Sequence, residues 1–264
     1  MTVNNIARNQ MSEAMMRVAS GQRINSARDD AAGLAIVESM TSQVRGLDQG
    51  TRNTNDMQAL INTAEGGLDS VNDSLQRVRE LSIQAANDTN TPAQREMIDR
   101  EIQQLADHIG AQVNNVQFNG MNLLDGSRES FHTASGADGS GATVRIGDMA
   151  DVAQAVANYS VAGSYDSFDV RQIDDVMQRV NDQRANLGAM SNRMDYTANA
   201  NTISSLNLAD ARSRVRDADM PREMMRVNQD QVINQMQILM QRQQQDNVQQ
   251  EAGRIAAPGI AGVQ

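Results

Sequence analysis

The sequence predicts a mainly α protein, a long antiparallel helical bundle or coiled coil with a small central β-hairpin region. Three observations predict it. Apolar residues recur in alternating steps of three and four along most of the chain, and three prolines in 264 residues leave long helices uninterrupted. Aromatic residues make up only 2%, with no Trp, three Phe and three Tyr against 17 Met. Leu, Ile, Val, Ala and Met suffice for thin helix–helix seams, whereas a thick multilayer core draws much of its buried area from large rings.

Residues 1–19 set Val3, Ala7, Met11, Ala14 and Val18 on one narrow stripe of a helix. A single helix of that kind is marginal in water and needs a partner. Residues 20–32, SGQRINSARDDAA, are small, polar and aperiodic, and read as a connector. From about Gly33 to Asn87 the helical pattern resumes with Val37, Met40, Val44, Leu47, Thr51 and Thr54. After a three-residue slip it continues through Met57, Ile61, Ala64, Leu68, Val71, Leu75 and Val78. This is a coiled-coil seam, and the slip is a stammer that alters the local winding. Roughly 55 helical residues at 1.5 Å each would span about 80 Å, more than an ordinary compact domain requires.

The stretch from Asn87 to Pro92 breaks that helix. Thr91 and Gln94 have capping-box spacing, and Pro92 falls at the first helical position, where its missing N–H is harmless. The next helix, about 92–116, buries Ile98, Ile102, Leu105, Ile109, Val113 and Val116, and the short turn favours an antiparallel pair. Residues 117–167 differ. Asn119-Gly120 and Asp125-Gly126 are turn-forming pairs, and Val144 to Ile146 is a short β-prone run among glycines, which predicts one or two hairpins.

Helical periodicity returns from about Phe168 to Val215 with Ile173, Met177, Val180, Leu187, Met194 and Ala198. Pro221 just after Asp219 reads as a second cap and helix start. The last helix sets Met225, Val232 and Leu239 one heptad apart and is expected to dissolve into QRQQQDNVQQ, with AAPGIAGVQ as a flexible tail. The simplest closure pairs the N-terminal rods with the C-terminal rod and leaves the β excursion at the far end.

Composition narrows the function classes. The net charge of −10 supplies no overall basic field for nucleic acid, and all 23 positive residues are Arg. Cysteine is absent, which removes disulfides, thiolate metal sites and cysteine nucleophiles. No apolar run is long enough to cross a membrane, and the N-terminus does not read as a secretory signal peptide. His108 and His132 have no second His or Cys at ligand spacing and read as surface or packing residues. Asp29, Asp30, Asp217 and Asp219 lie beside Arg23, Arg28, Arg214 and Arg216, and read as salt-bridged connector residues rather than paired acid–base carboxylates. No phosphate-cradling loop, HExxH or nucleophile motif is present, so no enzyme, no cofactor and no metal are expected, and the methionines read as seam filler.

Five segments then carry a resemblance. SGQRINSARDDAAGLAI (20–36), LQRVRELSIQAANDTNT (75–91), QFNGMNLLDG (117–126), QRANLGAMSNRMDYT (183–197) and ARSRVRDADMPREM (211–224) each resemble a flagellin segment, in the family's order. The resemblance implies a compact bacterial flagellin, a structural subunit that polymerises into the flagellar filament for motility. It implies terminal coil segments at 1–19 and 226–264, connectors at 20–32 and 212–225, a helical outer-core domain from 33–126 and 168–211, and a short variable region at 127–167. Two readings stand beside it, a low-copy flagellar junction or adaptor protein and a minor flagellin with a receptor-binding helix face.

The terminal seam is expected at Val3, Met11, Val18, Met225, Val232 and Leu239, its stripes ordering and completing their burial on other copies. Arg23, Asn25, Asp29, Asp30, Arg214, Asp217 and Asp219 are expected in the connectors. By the same resemblance Gln76, Arg77, Arg79, Glu80, Leu81 and Gln84 would face a neighbouring subunit or an innate immune receptor. His108 stands where an acidic residue is common on the facing helix. The implied partners are further copies of the chain, an export chaperone, and cap and junction proteins, with no nucleic acid and no membrane insertion. The implied place is an extracellular flagellar filament; FHTASGA (131–137) and VRIGD (144–148) resemble the short insert of periplasmic-filament flagellins and support a periplasmic alternative.

Overall fold

The computed structural model describes residues 3–163 and 168–255, and side chains for 9–163 and 168–250. The side chain of Val3 and the expected tail at 256–264 lie outside the described residues. The elements are α1 (Val3–Ser20), α2 (Ala31–Ala85), α3 (Pro92–Asn115), β1 (Gln117–Phe118), β2 (Met121–Asn122), β3 (Ser130–Ala134), β4 (Gly141–Arg145), α4 (Ala150–Ala157), α5 (Arg171–Arg216) and α6 (Met220–Ile255). They form two compact units, residues 42–207 and residues 1–41 with 208–264.

In the unit of residues 42–207, the 3/4 repeat of α2 becomes the core. Ile61, Ala64, Leu68, Val71, Leu75, Val78 and Ala85 are fully buried, and Met57, Leu60 and Leu81 nearly so. Against them pack Ile98, Ile102, Ala106, Ile109 and Val113 of α3, and Ile173, Val176, Val180, Leu187 and Met194 of α5. The turn to α3 is held as its sequence requires. Thr91 accepts from the Gln94 N–H, Gln94 returns the bond to the Thr91 N–H, and Pro92 opens the helix. Arg77 reaches Glu101 at 2.8 Å and Arg95 reaches the Ala85 carbonyl at 3.1 Å, so α2 and α3 run antiparallel.

The pairing of α2 with α5 is fixed by a rail of polar contacts along one edge of the seam. Asp48 accepts from Ser205 at 2.7 Å, Asp195 accepts from Gln58 at 2.7 Å, Asp69 pairs with Arg184 at 2.8 Å and Arg79 with Asp174 at 2.6 Å. Both helices advance by ten, eleven and ten residues between rungs, in opposite directions. Steps averaging about 10.5 residues are three turns of a helix wound at 3.5 residues per turn, so the rungs stay on the same edge.

The β residues between α3 and α5 form two separate two-stranded antiparallel sheets, β1–β2 and β3–β4. In the second, Phe131 faces Val144 and Thr133 faces Ala142, with the inward members buried. This hairpin sits on α2 near the stammer. Thr133 donates to the Asn53 carbonyl at 3.2 Å, Asn53 donates to the Ala134 carbonyl at 2.8 Å, and buried Asn201 of α5 donates to the Ser135 carbonyl at 2.8 Å. Gly50 makes the seat: a Cβ there would stand 2.0 Å from the Ser135 carbonyl oxygen. The slip at Thr54 thus lies beside the place where a hairpin, rather than a large apolar side chain, covers the helix.

Three features differ from the sequence reading. Residues 150–157, expected among turns and hairpins, form helix α4, whose Val152 and Val156 are buried. Its eight residues are too few to show a helical period, although the Ala- and Val-rich run carries one. The last helix does not dissolve after Leu239 but continues through QRQQQDNVQQ to Ile255, because Gln and Arg are good helix formers and no Gly or Pro interrupts 222–252. Only residues 217–219 separate α5 from α6, fewer than the expected connector at 212–225.

Candidate functional site

The unit of residues 1–41 and 208–264 brings the two halves of the sequence together. Between α1 and α2 the chain lies beside the link between α5 and α6. Gln22 bridges Asp217 antiparallel, the Arg23 N–H donates to the Arg216 carbonyl at 2.7 Å, and the Ala218 N–H donates to the Gly21 carbonyl at 3.0 Å. The Arg23 guanidinium adds a 2.6 Å bond to the Val215 carbonyl, and Ile24 is fully buried beneath it. Gly21 has φ 68°, a left-handed conformation that glycine adopts without steric cost just after α1.

Asp29 and Asp30 act on backbone rather than on arginine, whereas Asp219 caps a helix and also pairs with Arg222 at 3.9 Å. Asp29 accepts the N–H groups of Asn25 and Ser26 at 3.0 and 2.9 Å and the Ser26 hydroxyl at 3.1 Å. Those bonds, that of Asn25 first, hold its carboxyl below the usual 3.8. Asp30 is the N-cap of α2, accepting the Gly33 N–H at 2.8 Å. Asp219 accepts the Arg222 N–H at 3.3 Å in the same role for α6, and Asp217 accepts the Ser213 hydroxyl. Arg28 pairs instead with Glu13 at 3.0 Å, and Arg214 with Asp210 at 2.7 Å. Salt-bridged Asp29, Asp30 and Asp217 are therefore corrected to capping and turn-closing groups. Asn25 donates to the Gln22 carbonyl at 3.2 Å.

Beyond the connector, α1 and α6 lie antiparallel. Arg17 meets Glu223 at 3.1 Å, and further along Met11 meets Asn234 at 3.9 Å. On α1, Ala14 is buried and Met11 and Val18 half-buried, as the stripe predicts. On α6 the residues that lose exposure are Met220, Glu223, Val227, Asp230, Asn234 and Gln237, in steps of three, four, three, four and three. Four of the six are polar, and the side-chain oxygens of Asn234 and Gln237 are buried without a hydrogen-bond partner. The apolar heptad Met225, Val232 and Leu239 stands about half a turn away, given roughly 3.6 residues per turn. It is 65%, 54% and 62% exposed. The expected seam is thus corrected for α6: its apolar stripe points away from α1, and a polar strip faces inward.

The second predicted surface lies on α2. Gln76, Arg77, Arg79, Glu80 and Gln84 are exposed. Arg77 is held between Glu101 and Glu80 at 2.8 and 3.2 Å, and Arg79 by Asp174. Leu81 is 1% exposed inside the core cluster, so it supports this face from beneath and does not present to a partner. His108 and His132 are exposed, His132 beside the Thr143 hydroxyl at 3.4 Å. Among the described residues no group of three or more His, Asp or Glu could hold a metal ion.

Sequence reasoning missed Glu223 and Arg95. Glu223 is 6% exposed and gathers Arg17 and Arg226 at the root of the α1–α6 pair. Arg95 is 8% exposed and caps the Ala85 carbonyl at the end of α2. A charged residue at a helix start gives no sequence signal of burial, because its partner comes from another element.

The comparisons fit this arrangement. The family model of the bacterial flagellin N-terminal helical region matches residues 1–129, and that of the bacterial flagellin C-terminal helical region matches residues 170–252. A flagellin of Halalkalibacterium halodurans is 40% identical over 232 residues, 86% of this chain and 85% of the relative. A flagellar filament core protein of Brachyspira hyodysenteriae is 36% identical over 248 residues, 87% of each chain. Among solved structures, Bacillus cereus flagellin superposes with a TM-score of 0.51 at 28% identity, over 57% of this chain and 88% of that one.

Proposed function

This chain belongs to the bacterial flagellin family, and on that premise we propose that the outward face of α6 is the surface that one copy buries against the next. Its function is that of a structural subunit polymerising into the flagellar filament. Relatives described as flagellins and filament core proteins do not favour a low-copy junction protein.

The observation that carries the interface is the inverted polarity of α6. A helix that only closed its own chain would turn Met225, Val232 and Leu239 inward; this one turns them to solvent, with Met236 and Met240 beside them, all more than half exposed. Such a stripe is destabilising in a free monomer and stabilising once covered, at roughly 1.5–3 kcal/mol for each large side chain fully buried. Both terminal helices are already formed in the single chain, so assembly on this reading completes burial.

Residues 1–19 and 226–264 then act as the filament's coil segments, 33–126 and 168–211 as its helical outer core, and 127–167 as the variable surface. The exposed α2 edge at Gln76, Arg77, Arg79, Glu80 and Gln84 serves as a further subunit- or receptor-facing surface. An export chaperone for the C-terminal segment, and cap and junction proteins, complete the partners that the family implies. The filament lies outside the cell, or within the periplasm in the alternative reading.

The test is polymerisation of a V232E/L239E double variant, followed by negative-stain microscopy after salting out. Loss of filaments with an unchanged helical far-UV spectrum is the expected result. Filaments as abundant as those of the unaltered protein would refute the interface.

A further inference from the structure

Among the methionines two groups stand at opposite extremes of exposure. Met57, Met149 and Met194 are 7%, 6% and 0% exposed within the core. Met225, Met236 and Met240 are 65%, 62% and 67% exposed, and share the outward stripe of α6 with Val232 and Leu239. Their thioethers are therefore open to oxidants in the free chain, at the place where the interface reading requires apolar surface.

We propose that Met225, Met236 and Met240 form a reversible oxidation site that decides whether a copy of this chain can join the polymer. The inference rests on the reading of the α6 stripe as the copy-to-copy contact. Hydrogen peroxide supplies the oxidant. The thioether sulfur gives two electrons to the peroxide O–O bond, gains one oxygen as a sulfoxide, and the other oxygen leaves as water. A methionine sulfoxide reductase drawing two electrons and two protons from a pair of thiols reverses the step, with the two thiols joined as a disulfide and the sulfoxide oxygen released as water.

The sulfoxide keeps the length of the side chain but replaces a soft apolar atom with a strong hydrogen-bond acceptor. In the free chain that acceptor is hydrated and the helix is unaffected. On assembly it loses its water, and the stripe has Val232 and Leu239 beside it, which have no donor to offer. Three such groups along one stripe oppose burial together. The chemistry also depends on order, since a polymer that covers the stripe shields the sulfurs it has covered.

Peroxide treatment of free full-length protein and of preformed filaments, followed by peptide mass spectrometry, tests this directly. Oxygen should add at Met225, Met236 and Met240 of free protein, with Met57, Met149 and Met194 unmodified and the three stripe methionines of the filament protected. Oxidised protein should need at least about tenfold more subunit to polymerise, and reductase treatment should restore it. The M225L/M236L/M240L variant keeps an apolar stripe of similar volume, and the subunit concentration it needs to polymerise should be the same with and without peroxide. Normal polymerisation of the oxidised protein, or undiminished peroxide sensitivity in the leucine variant, overturns the proposal while leaving the interface intact. Peroxide labelling of the stripe to the same extent in filaments as in free protein overturns both.

Discussion

Asp29 and Asp30 are neighbours of equal charge with separate tasks, one closing a turn and the other starting a helix. Asp30→Ala removes the acceptor of the Gly33 N–H and should cost about 1 kcal/mol. Chemical denaturation followed on the unit of residues 1–41 and 208–264 would show it, and Asp30→Asn, which keeps the accepting oxygen, should restore most of the loss. For Asp29 the relevant variable is pH. Its carboxyl is held below 3.8 by N–H groups that it accepts only when folded, so its stabilising effect is complete above that unfolded value. The effect is lost as pH falls through the lower folded value. The amides of Asn25 and Ser26 should therefore lose hydrogen-exchange protection only below about pH 4, and Asp29→Asn should remove that dependence. Sequence adjacency suggested arginine partners for these aspartates. It could not show that backbone N–H groups lie closer, because that depends on how the connector turns.

At the scale of elements, the pairing of α2 with α5 combines a seam with a rail. The seam was legible: burial follows Met57, Ile61, Ala64, Leu68, Val71, Leu75 and Val78 as the periodicity required. The rail was not, since its rungs join residues 95 or more positions apart on faces that sequence reads only as solvated. Its role in register is measurable. Asp69→Arg opposes Arg184 with a like charge and should lower stability by about 0.5–1 kcal/mol, a modest figure because the pair is partly exposed. Adding Arg184→Asp should recover most of it in a double-mutant cycle. Helix α4 and the hairpin seat were hidden for a related reason. Gly50 and Asn201 look like weak points of a helix until the Ser135 carbonyl, just after β3, is placed against them.

At the scale of the whole molecule, the two units differ in what holds them. Residues 42–207 close around a continuous apolar core. The terminal unit pairs its long helices through a seam that is mostly polar on the α6 side, with two unpartnered amide oxygens. Backbone amides of α6 from Met225 to Leu239 should accordingly exchange faster in free protein than those of α2 from Ile61 to Leu81, and slow by at least about tenfold in filaments. Equal protection of α6 in both states would place its stability within the single chain. The terminal helices were visible to sequence as stripes, but the direction in which α6 turns its stripe was not. A narrow apolar line specifies that a partner exists, not whether that partner is the same molecule or the next one.

The tip of the β3–β4 hairpin has a bearing on how such a chain diversifies. Gly46, Gly50 and Gly141 are hemmed in by backbone, while Gly139, at φ 83°, faces nothing within 4 Å. The hairpin is thus clamped at its loop end through Ser135 and Ala137, yet unobstructed at Gly139 of the same loop. Foreign sequence grafted beside Gly139 meets no steric barrier from the scaffold, whereas the same graft at Ser135 would unseat it. A short insert built this way is a ready mount for cargo, natural or engineered, repeated along the polymer at every copy.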